Sequence, residues 1–211
     1  MLTLAAFTLL LAGACALSAN TVTTMMQDLK VSSKLPPPCC SPPTWQAELV
    51  DLKSPYQVDS LIAVDYSKNM EGVITTSRAT GQVIGRSLID YSKHLIYEAV
   101  YVPDMAPTCK KVPFNMPLAR CMNDTTITDL VYLGSSTLGM KGAGLNYDGY
   151  SFKAADNEIS IALVPIPNSG NLCYPVIESL KNKQQDSIYI FLQAESKVND
   201  PTIFDVPAPC V

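Results

Sequence analysis

The sequence predicts a mainly β protein in which two packed or strongly curved antiparallel sheets surround the core. Several short runs alternate apolar and polar residues with the period of two that half-buried strands show. The 16 prolines interrupt nearly every segment that could form a helix. Hydrophobic residues make up 47% of the chain, which is more apolar surface than one flat sheet covers.

The chain is predicted to have three parts. Residues 1–19 begin with an uncharged apolar run followed by small residues, which is typical of a cleaved signal peptide. A retained membrane anchor is the alternative, and the shortness of the run argues against it. Residues 20–38 form a polar leader and a proline arm, and 39–211 form a single β domain. No segment after the signal is apolar and long enough to span a bilayer, so we expect a secreted product.

The predicted strands follow the proline arm. The first begins at Trp45, and others cover 94–101, 159–163 and 188–195. The tetrapeptide Asp-Tyr-Ser-Lys occurs at 65–68 and again at 90–93. Because Asp and Ser favour tight turns, each copy predicts the turn of a hairpin, and the two hairpins form a meander over 57–78 and 83–102.

One or two short helices remain in the predicted fold. One candidate is 176–184, which follows a proline, and the other is a helical turn after Asp200 and Pro201. The stretch 134–141 has the two glycines of a phosphate-binding loop, but Met140 stands where the phosphate-binding lysine is required. We therefore interpret that stretch as a flexible loop that continues through Gly142, Gly144 and Gly149.

Cysteine usage indicates disulfides. Loss of Cys15 with the signal peptide leaves six cysteines, an even number that in a secreted chain implies three bridges. Cys39 and Cys40 are adjacent, and neighbouring cysteines are poorly placed to bond to each other, so each is expected to have a distant partner. The pairing stays open at this point. A zinc site is disfavoured, because the chain has no Cys-x-x-Cys pair and a single histidine.

The sequence shows no catalytic residue. The one histidine, His94, follows a predicted turn and is interpreted as an exposed loop residue, and no Gly-x-Ser-x-Gly motif is present. A hydrolase that uses paired carboxylates is the alternative, since such pairs leave no local spacing. The net charge of −4 argues against nucleic-acid binding, which requires a basic face. The Asn-Asp-Thr sequon makes Asn123 a predicted glycosylation site.

Four motifs occur in an order that resembles a known family. They are Cys39-x-x-Pro42-x-x-Trp45, Tyr-Leu-Gly-Ser at 132–135, Cys-Tyr-Pro-Val at 173–176, and Asp-Pro-Thr-Ile-Phe at 200–204 followed by Pro207 and Cys210. The chain resembles the ependymins and ependymin-related proteins from about Cys39 to Cys210. The resemblance implies a secreted or lysosomal glycoprotein without established catalysis. It also implies two stacked antiparallel sheets that form a half-open barrel around a deep hydrophobic pocket.

The resemblance carries further implications for partners and bridges. It implies homodimers, calcium association, a lipid or other hydrophobic ligand, and a part in adhesion to the extracellular matrix. It pairs Cys39 with Cys173 and Cys109 with Cys210, and it leaves Cys40 with Cys121. The third bridge of the family uses a cysteine between the second and third strands, where this sequence has Thr-Thr-Ser-Arg at 75–78.

Our function prediction is a secreted, disulfide-bonded protein that binds a lipid or another hydrophobic molecule in an internal pocket. The residues expected to face inward and line it are Trp45, Leu49, Ile62, Val64, Leu95, Tyr97, Ile161, Leu163, Ile190 and Leu192. The alternative is an extracellular adhesion or structural protein, associated with calcium, that has a solid interior. The sequence does not identify the calcium ligands.

Overall fold

The computed structural model describes residues 38–53, 58–140, 143–154, 156–183 and 186–211. Eleven antiparallel strands form one sheet. They are β1 (Thr44–Asp51), β2 (Val58–Asp65), β3 (Met70–Ser77), β4 (Val83–Asp90), β5 (Leu95–Val100), β6 (Thr108–Pro113), β7 (Thr128–Leu138), β8 (Leu145–Ala154), β9 (Asn157–Pro165), β10 (Cys173–Lys181) and β11 (Asp186–Glu195). The prediction of a mainly antiparallel β protein is confirmed.

The strand order is β6-β5-β4-β3-β2-β1-β11-β10-β9-β8-β7. It consists of two meanders, β1 to β6 and β7 to β11, that meet where β1 pairs with β11. We expected two separate stacked sheets, but hydrogen bonds join all the described strands into one sheet, which is not closed because its edges are β6 and β7. The chain passes from one edge strand to the other through residues 114–127, here called the crossover segment.

The two predicted hairpins are confirmed. β2 pairs with β3 and β4 pairs with β5 in antiparallel register, so the meander follows the expected boundaries closely. In the first turn the Asp65 carboxylate accepts hydrogen bonds from the backbone N–H groups of Ser67 (2.9 Å) and Lys68 (3.1 Å). In the second turn the Asp90 carboxylate accepts one from the Lys93 N–H (3.0 Å). The repeated tetrapeptide therefore marks two turns of the same construction.

One helix prediction is confirmed and the other is wrong. Pro201–Phe204 is a 3₁₀ helix that Asp200 caps by accepting a hydrogen bond from the Thr202 N–H at 3.0 Å. A second 3₁₀ helix covers Ala208–Cys210. The stretch 176–184, predicted as a helix, instead lies largely in β10, because pairing with β9 and β11 on both sides overrides the local helical preference. A shift of register next to Pro175 accommodates the missing N–H of the proline.

The glycine-containing stretch that we interpreted as a flexible loop is mostly strand. Residues up to Leu138 belong to β7, and β8 resumes at Leu145. Gly134 has a φ of 112° and lies at a shift in the β7–β8 register. The glycine therefore allows a backbone conformation that the irregularity in β7 requires.

The C-terminal segment packs on the face of β2 to β5 that lies opposite the internal cavity described below. Ile203 and Phe204 are buried against Ala63, and the guanidinium of Arg86 donates a hydrogen bond of 2.6 Å to the Thr202 carbonyl. A Cβ atom on Gly72 would lie 2.6 Å from the Ile203 carbonyl oxygen, so this close approach requires a glycine. The C-terminal segment therefore covers this face of the sheet.

Three disulfides join the described segments: Cys39–Cys173, Cys40–Cys121 and Cys109–Cys210. These are the pairs that the resemblance implies. The predicted signal peptide, and the leader and proline arm up to residue 37, lie outside the described residues. Among the residues that the structure describes, no helix is long and apolar enough to cross a membrane.

Candidate functional site: an internal cavity

A cavity of about 1060 Å³ lies on one face of the sheet. Its walls come from β1 to β5, from β8 to β11 and from the crossover segment. Strands that are far apart in the sheet order, such as β4 and β9, line the same space, so the sheet curves around it. Apolar side chains of the crossover segment, among them Phe114, Met116 and Leu118, line the cavity where no strand does.

Six of the ten residues predicted to face inward line this cavity: Trp45, Leu49, Ile62, Val64, Ile161 and Leu163. The indole of Trp45 makes an edge contact with the ring of Phe191, with centroids 6.0 Å apart. The alternation of apolar residues thus identified the inner face of β1, β2 and β9 correctly.

The other four, Leu95, Tyr97, Ile190 and Leu192, do not line the cavity, and the prediction for them is wrong. In β5 the lining residue is Ile96, while Leu95 and Tyr97 pack with Leu88 and Cys210 on the opposite face. That face is apolar because the C-terminal segment covers it, so alternation does not reveal which side is inside.

In β11 the same error occurs. Tyr189 and Phe191 line the cavity, and Ile190 and Leu192 alternate with them on the other face. Leu192 is 44% exposed to solvent. Both faces of this strand carry large apolar side chains, so the periodicity fits either orientation.

Two half-buried glutamates line the cavity, and neither was predicted from the sequence. Glu71 comes from β3 and Glu178 from β10, so the two meanders contribute one each. Burial raises the pKa of Glu71, although a hydrogen bond from the Tyr91 hydroxyl (3.1 Å) opposes this effect. Burial, and then the charge of Glu71, raise the pKa of Glu178 to about 7. The two carboxyl groups therefore act on each other.

Aromatic hydroxyls surround these acids. Burial raises the pKa of Tyr91 well above its ordinary value, and the charge of Glu71 and the hydrogen bond to it add to this effect. Burial also raises the pKa of Tyr66, and the neighbouring Ser41 hydroxyl and Trp45 indole oppose the rise. The cavity wall is mostly apolar, and Tyr66, Glu71, Tyr91 and Glu178 form a polar cluster within it.

Hydrogen bonds of the Cys39–Cys40 segment hold the crossover segment beside the cavity. The Ser41 N–H donates to the Arg120 carbonyl (2.8 Å), and the Met122 N–H donates to the Cys39 carbonyl (2.9 Å). The N–H of Cys40 donates to the Asn171 carbonyl and that of Cys173 to the Cys40 carbonyl, both at 2.9 Å. The two adjacent cysteines therefore join the crossover segment to the loop before β10.

The remaining predicted sites, His94 and Asn123, do not line the cavity. His94 is exposed in the turn before β5, with a φ of 55°. Asn123 is exposed, as a glycosylation acceptor requires. Within the described ranges, no group of three or more His, Cys, Asp or Glu side chains is arranged to hold a metal ion.

The missed residues left different signals in the sequence. Glu71, Val73 and Thr75 are spaced two residues apart and so lie on the same face of β3, which lines the cavity. A charged residue on a face that points inward is unusual, and this is a signal of a functional site. Glu178 was hidden by the incorrect helix prediction for its segment. The crossover segment has no periodicity, and only its position between the two meanders brings it to the cavity.

Comparisons with known proteins assign no family. No protein-family model matches the chain, and no curated protein matches it. An uncharacterized conserved protein from Thermus thermophilus is similar in structure, with 9% identity and a TM-score of 0.48 over 79% of this chain and 87% of that one. PNGF-II is similar with 8% identity and a TM-score of 0.35, over 77% of this chain and 29% of its own. Both scores are below 0.5, so neither likeness supports a functional argument.

Proposed function

We propose that this protein is a secreted, disulfide-bonded carrier that binds a lipid or another apolar molecule in the internal cavity of a half-open barrel. The observation that supports the proposal is the cavity of about 1060 Å³ with mostly apolar walls. A space of this size is at the upper end of the range for ligand sites, and an apolar wall with a few polar groups is the usual composition of such sites. A protein that needed only a solid core would fill this space with side chains.

Intrinsic fluorescence tests the proposal directly. Trp45 is the only tryptophan, and it lines the cavity. Titration of the oxidised protein with dodecanoate, dodecanol or anionic lipid is expected to change the Trp45 emission with saturation at one ligand per chain. Protein purified without detergent is also expected to carry extractable lipid in mass spectrometry. An unchanged emission together with an empty extract would exclude the carrier function.

Other parts of the proposal rest on the sequence or on its resemblance to ependymins. They are calcium association, homodimers, adhesion to extracellular matrix, glycosylation at Asn123, a lysosomal location and the lack of enzymatic activity. Cell attachment to surfaces coated with the protein, measured with and without a calcium chelator, tests the adhesion alternative. Attachment that depends on calcium and persists when the cavity is filled would favour that alternative over the carrier.

A further inference from the structure

We propose that the ligand of this cavity is a cationic amphiphile, with an alkyl part against the apolar walls and a protonated amine between Glu71 and Glu178. The inference rests on the proposed carrier function and specifies the chemistry of its ligand. Two observations carry it: two carboxyl groups line a mostly apolar cavity, and neither forms an ion pair with a basic side chain among the described residues.

The two carboxyl groups lie on opposite meanders of the curved sheet. Glu71 is flanked along β3 by the lining residue Val73, and Glu178 is flanked along β10 by the lining residues Pro175 and Leu180. Burial is the largest influence on both carboxyl groups, and Glu178 also responds to the charge of Glu71. Two acids that are withdrawn from water and act on each other destabilise the ionised form unless a positive charge compensates.

The basic residues of the cavity are engaged elsewhere. Arg78 forms an ion pair with Asp59, with 2.6 Å between Nε and Oδ1. The Nε of Arg120 donates to the Ser41 carbonyl at 2.9 Å. No lysine or arginine in the described part of the chain is among the groups that shift the pKa of Glu71 or Glu178. Buried carboxylates in proteins are normally paired, so a ligand cation supplies what the protein does not.

Trp45 places a fluorescent reporter in the same part of the wall. Its side chain is 5% exposed and lines the cavity. The indole acts on the Tyr66 hydroxyl and opposes the rise of its pKa, and Tyr66 in turn acts on Tyr91. Because the Tyr91 hydroxyl donates a hydrogen bond to Glu71, the reporter lies on the side of the cavity that carries this acid.

Charge complementarity separates the amine from other head groups. A carboxylate ligand would add a third negative charge beside Glu71 and Glu178. An alcohol would form neutral hydrogen bonds, which are weaker than charge-assisted bonds between an ammonium group and carboxylates. The raised pKa of Glu178 fits a site that is partly protonated when empty and ionises when a cation enters.

Equilibrium titration with three ligands that share one alkyl chain tests the inference. Dodecylamine, dodecanol and dodecanoate are added below their micelle-forming concentrations at neutral pH, and Trp45 emission and calorimetry report binding. We expect the wild type to bind dodecylamine at least about tenfold more tightly than dodecanol, as charge-assisted bonds in a desolvated site imply.

Matched variants assign the effect to the buried acids. Glu178→Gln is expected to lower the affinity for dodecylamine about tenfold and to leave that for dodecanol within about twofold, because it removes the charge and keeps the shape. Retained dodecanol binding shows that the variant is folded. Glu158→Gln, on the exposed surface of β9, is the control and is expected to leave both affinities unchanged.

The outcomes distinguish this inference from the function on which it rests. Binding of none of the three ligands to the wild type would contradict the carrier function itself. Binding of dodecanol or dodecanoate without a preference for the amine would overturn the inference alone. Calcium chloride is the last probe. If it displaces dodecylamine from the wild type and does not bind to the Glu178→Gln variant, the two acids form a metal site, and the inference of an amine ligand is overturned.

Discussion

At the scale of single residues, Glu71 and Glu178 are two acids of the cavity wall whose pKa is raised by burial. The remaining ionisable groups that line the cavity are Asp51, Tyr66, Arg78, Tyr91, Arg120 and Tyr189. Among these, the hydroxyl of Tyr91 is the one that hydrogen-bonds to Glu71. Burial holds the pKa of both glutamates above the ordinary value, with that of Glu178 at about 7. Protonation of both carboxyl groups is therefore coupled to folding, and that of Glu178 is coupled near neutral pH.

The pH dependence of stability follows from the sign of this shift. A carboxyl whose folded pKa is raised binds its proton more tightly in the folded state, so stability falls as pH rises from its ordinary pKa to about 7 and is level above that. Glu178→Gln is expected to remove on the order of 2 kcal/mol of this fall. Urea unfolding of the oxidised, ligand-free protein across acidic to neutral pH measures it.

The control for this measurement is Glu158→Gln, in which an exposed carboxyl is replaced and the wild-type curve is expected. For Asp65 and Asp90, burial raises the pKa, but hydrogen bonds from the following turn residues outweigh it and lower the pKa overall. The stability they contribute is lost only at more acidic pH, as pH falls through their folded pKa. A Glu178→Gln curve parallel to that of the wild type would contradict the proposed burial.

At the scale of elements, the C-terminal segment determines which face of the first meander is covered. Its 3₁₀ helix Pro201–Phe204 packs on β3, and its last cysteine is bonded to Cys109 in β6. Leu95 and Tyr97 show the apolar alternation expected of inward residues, but they pack with Cys210 of the C-terminal segment, on the side away from the cavity. When a strand lies between two apolar layers, its sequence does not show which of its faces lines the cavity.

Gly72→Ala tests the contact between this segment and β3. The new methyl group would lie 2.6 Å from the Ile203 carbonyl oxygen and 2.8 Å from its side chain, so a loss of about 1–3 kcal/mol in the free energy of unfolding is expected. Gly85→Ala in β4 is the matched control. Its nearest neighbour is the Thr75 Cβ at 3.6 Å, and a change below about 1 kcal/mol is expected. Equal losses in the two variants, measured by urea unfolding, would place the C-terminal segment elsewhere.

At the scale of the whole molecule, two meanders and the crossover segment that connects their outer edges surround the cavity. The Cys40–Cys121 disulfide joins residues 81 positions apart and holds the crossover segment to the start of the domain. Because the sheet is not closed by hydrogen bonds, this covalent link and the hydrogen bonds beside it define that side of the cavity.

Variants of this bridge test the arrangement. Loss of the bridge in the double variant Cys40→Ser, Cys121→Ser is expected to lower the free energy of unfolding by about 2–4 kcal/mol. Each single variant is expected to be worse in secreted yield, because the thiol left behind exchanges with the other two bridges. Yield and thermal unfolding of the three variants provide the measurement. Equal damage from the singles and the double would count against this pairing.

Structure that local residues determine was predicted correctly, and structure that distant partners determine was not. The hairpins at Asp65 and Asp90 were predicted because their turns are encoded by neighbouring residues. Strand β10 was missed because its residues favour a helix locally and become a strand only between two partners. Glu178, which lies in β10, was missed with it, and so the polar cluster of the cavity was not anticipated.

Local chemistry and composition are enough to establish the antiparallel β class and the two hairpin turns, since each depends on residues close together in the chain. The single curved sheet, the face that the C-terminal segment covers and the placement of Glu71 and Glu178 in one cavity wall depend on contacts between residues far apart in sequence. Such contacts are selected by the packing of the complete chain, because an apolar strand fits either face until its neighbours are in place.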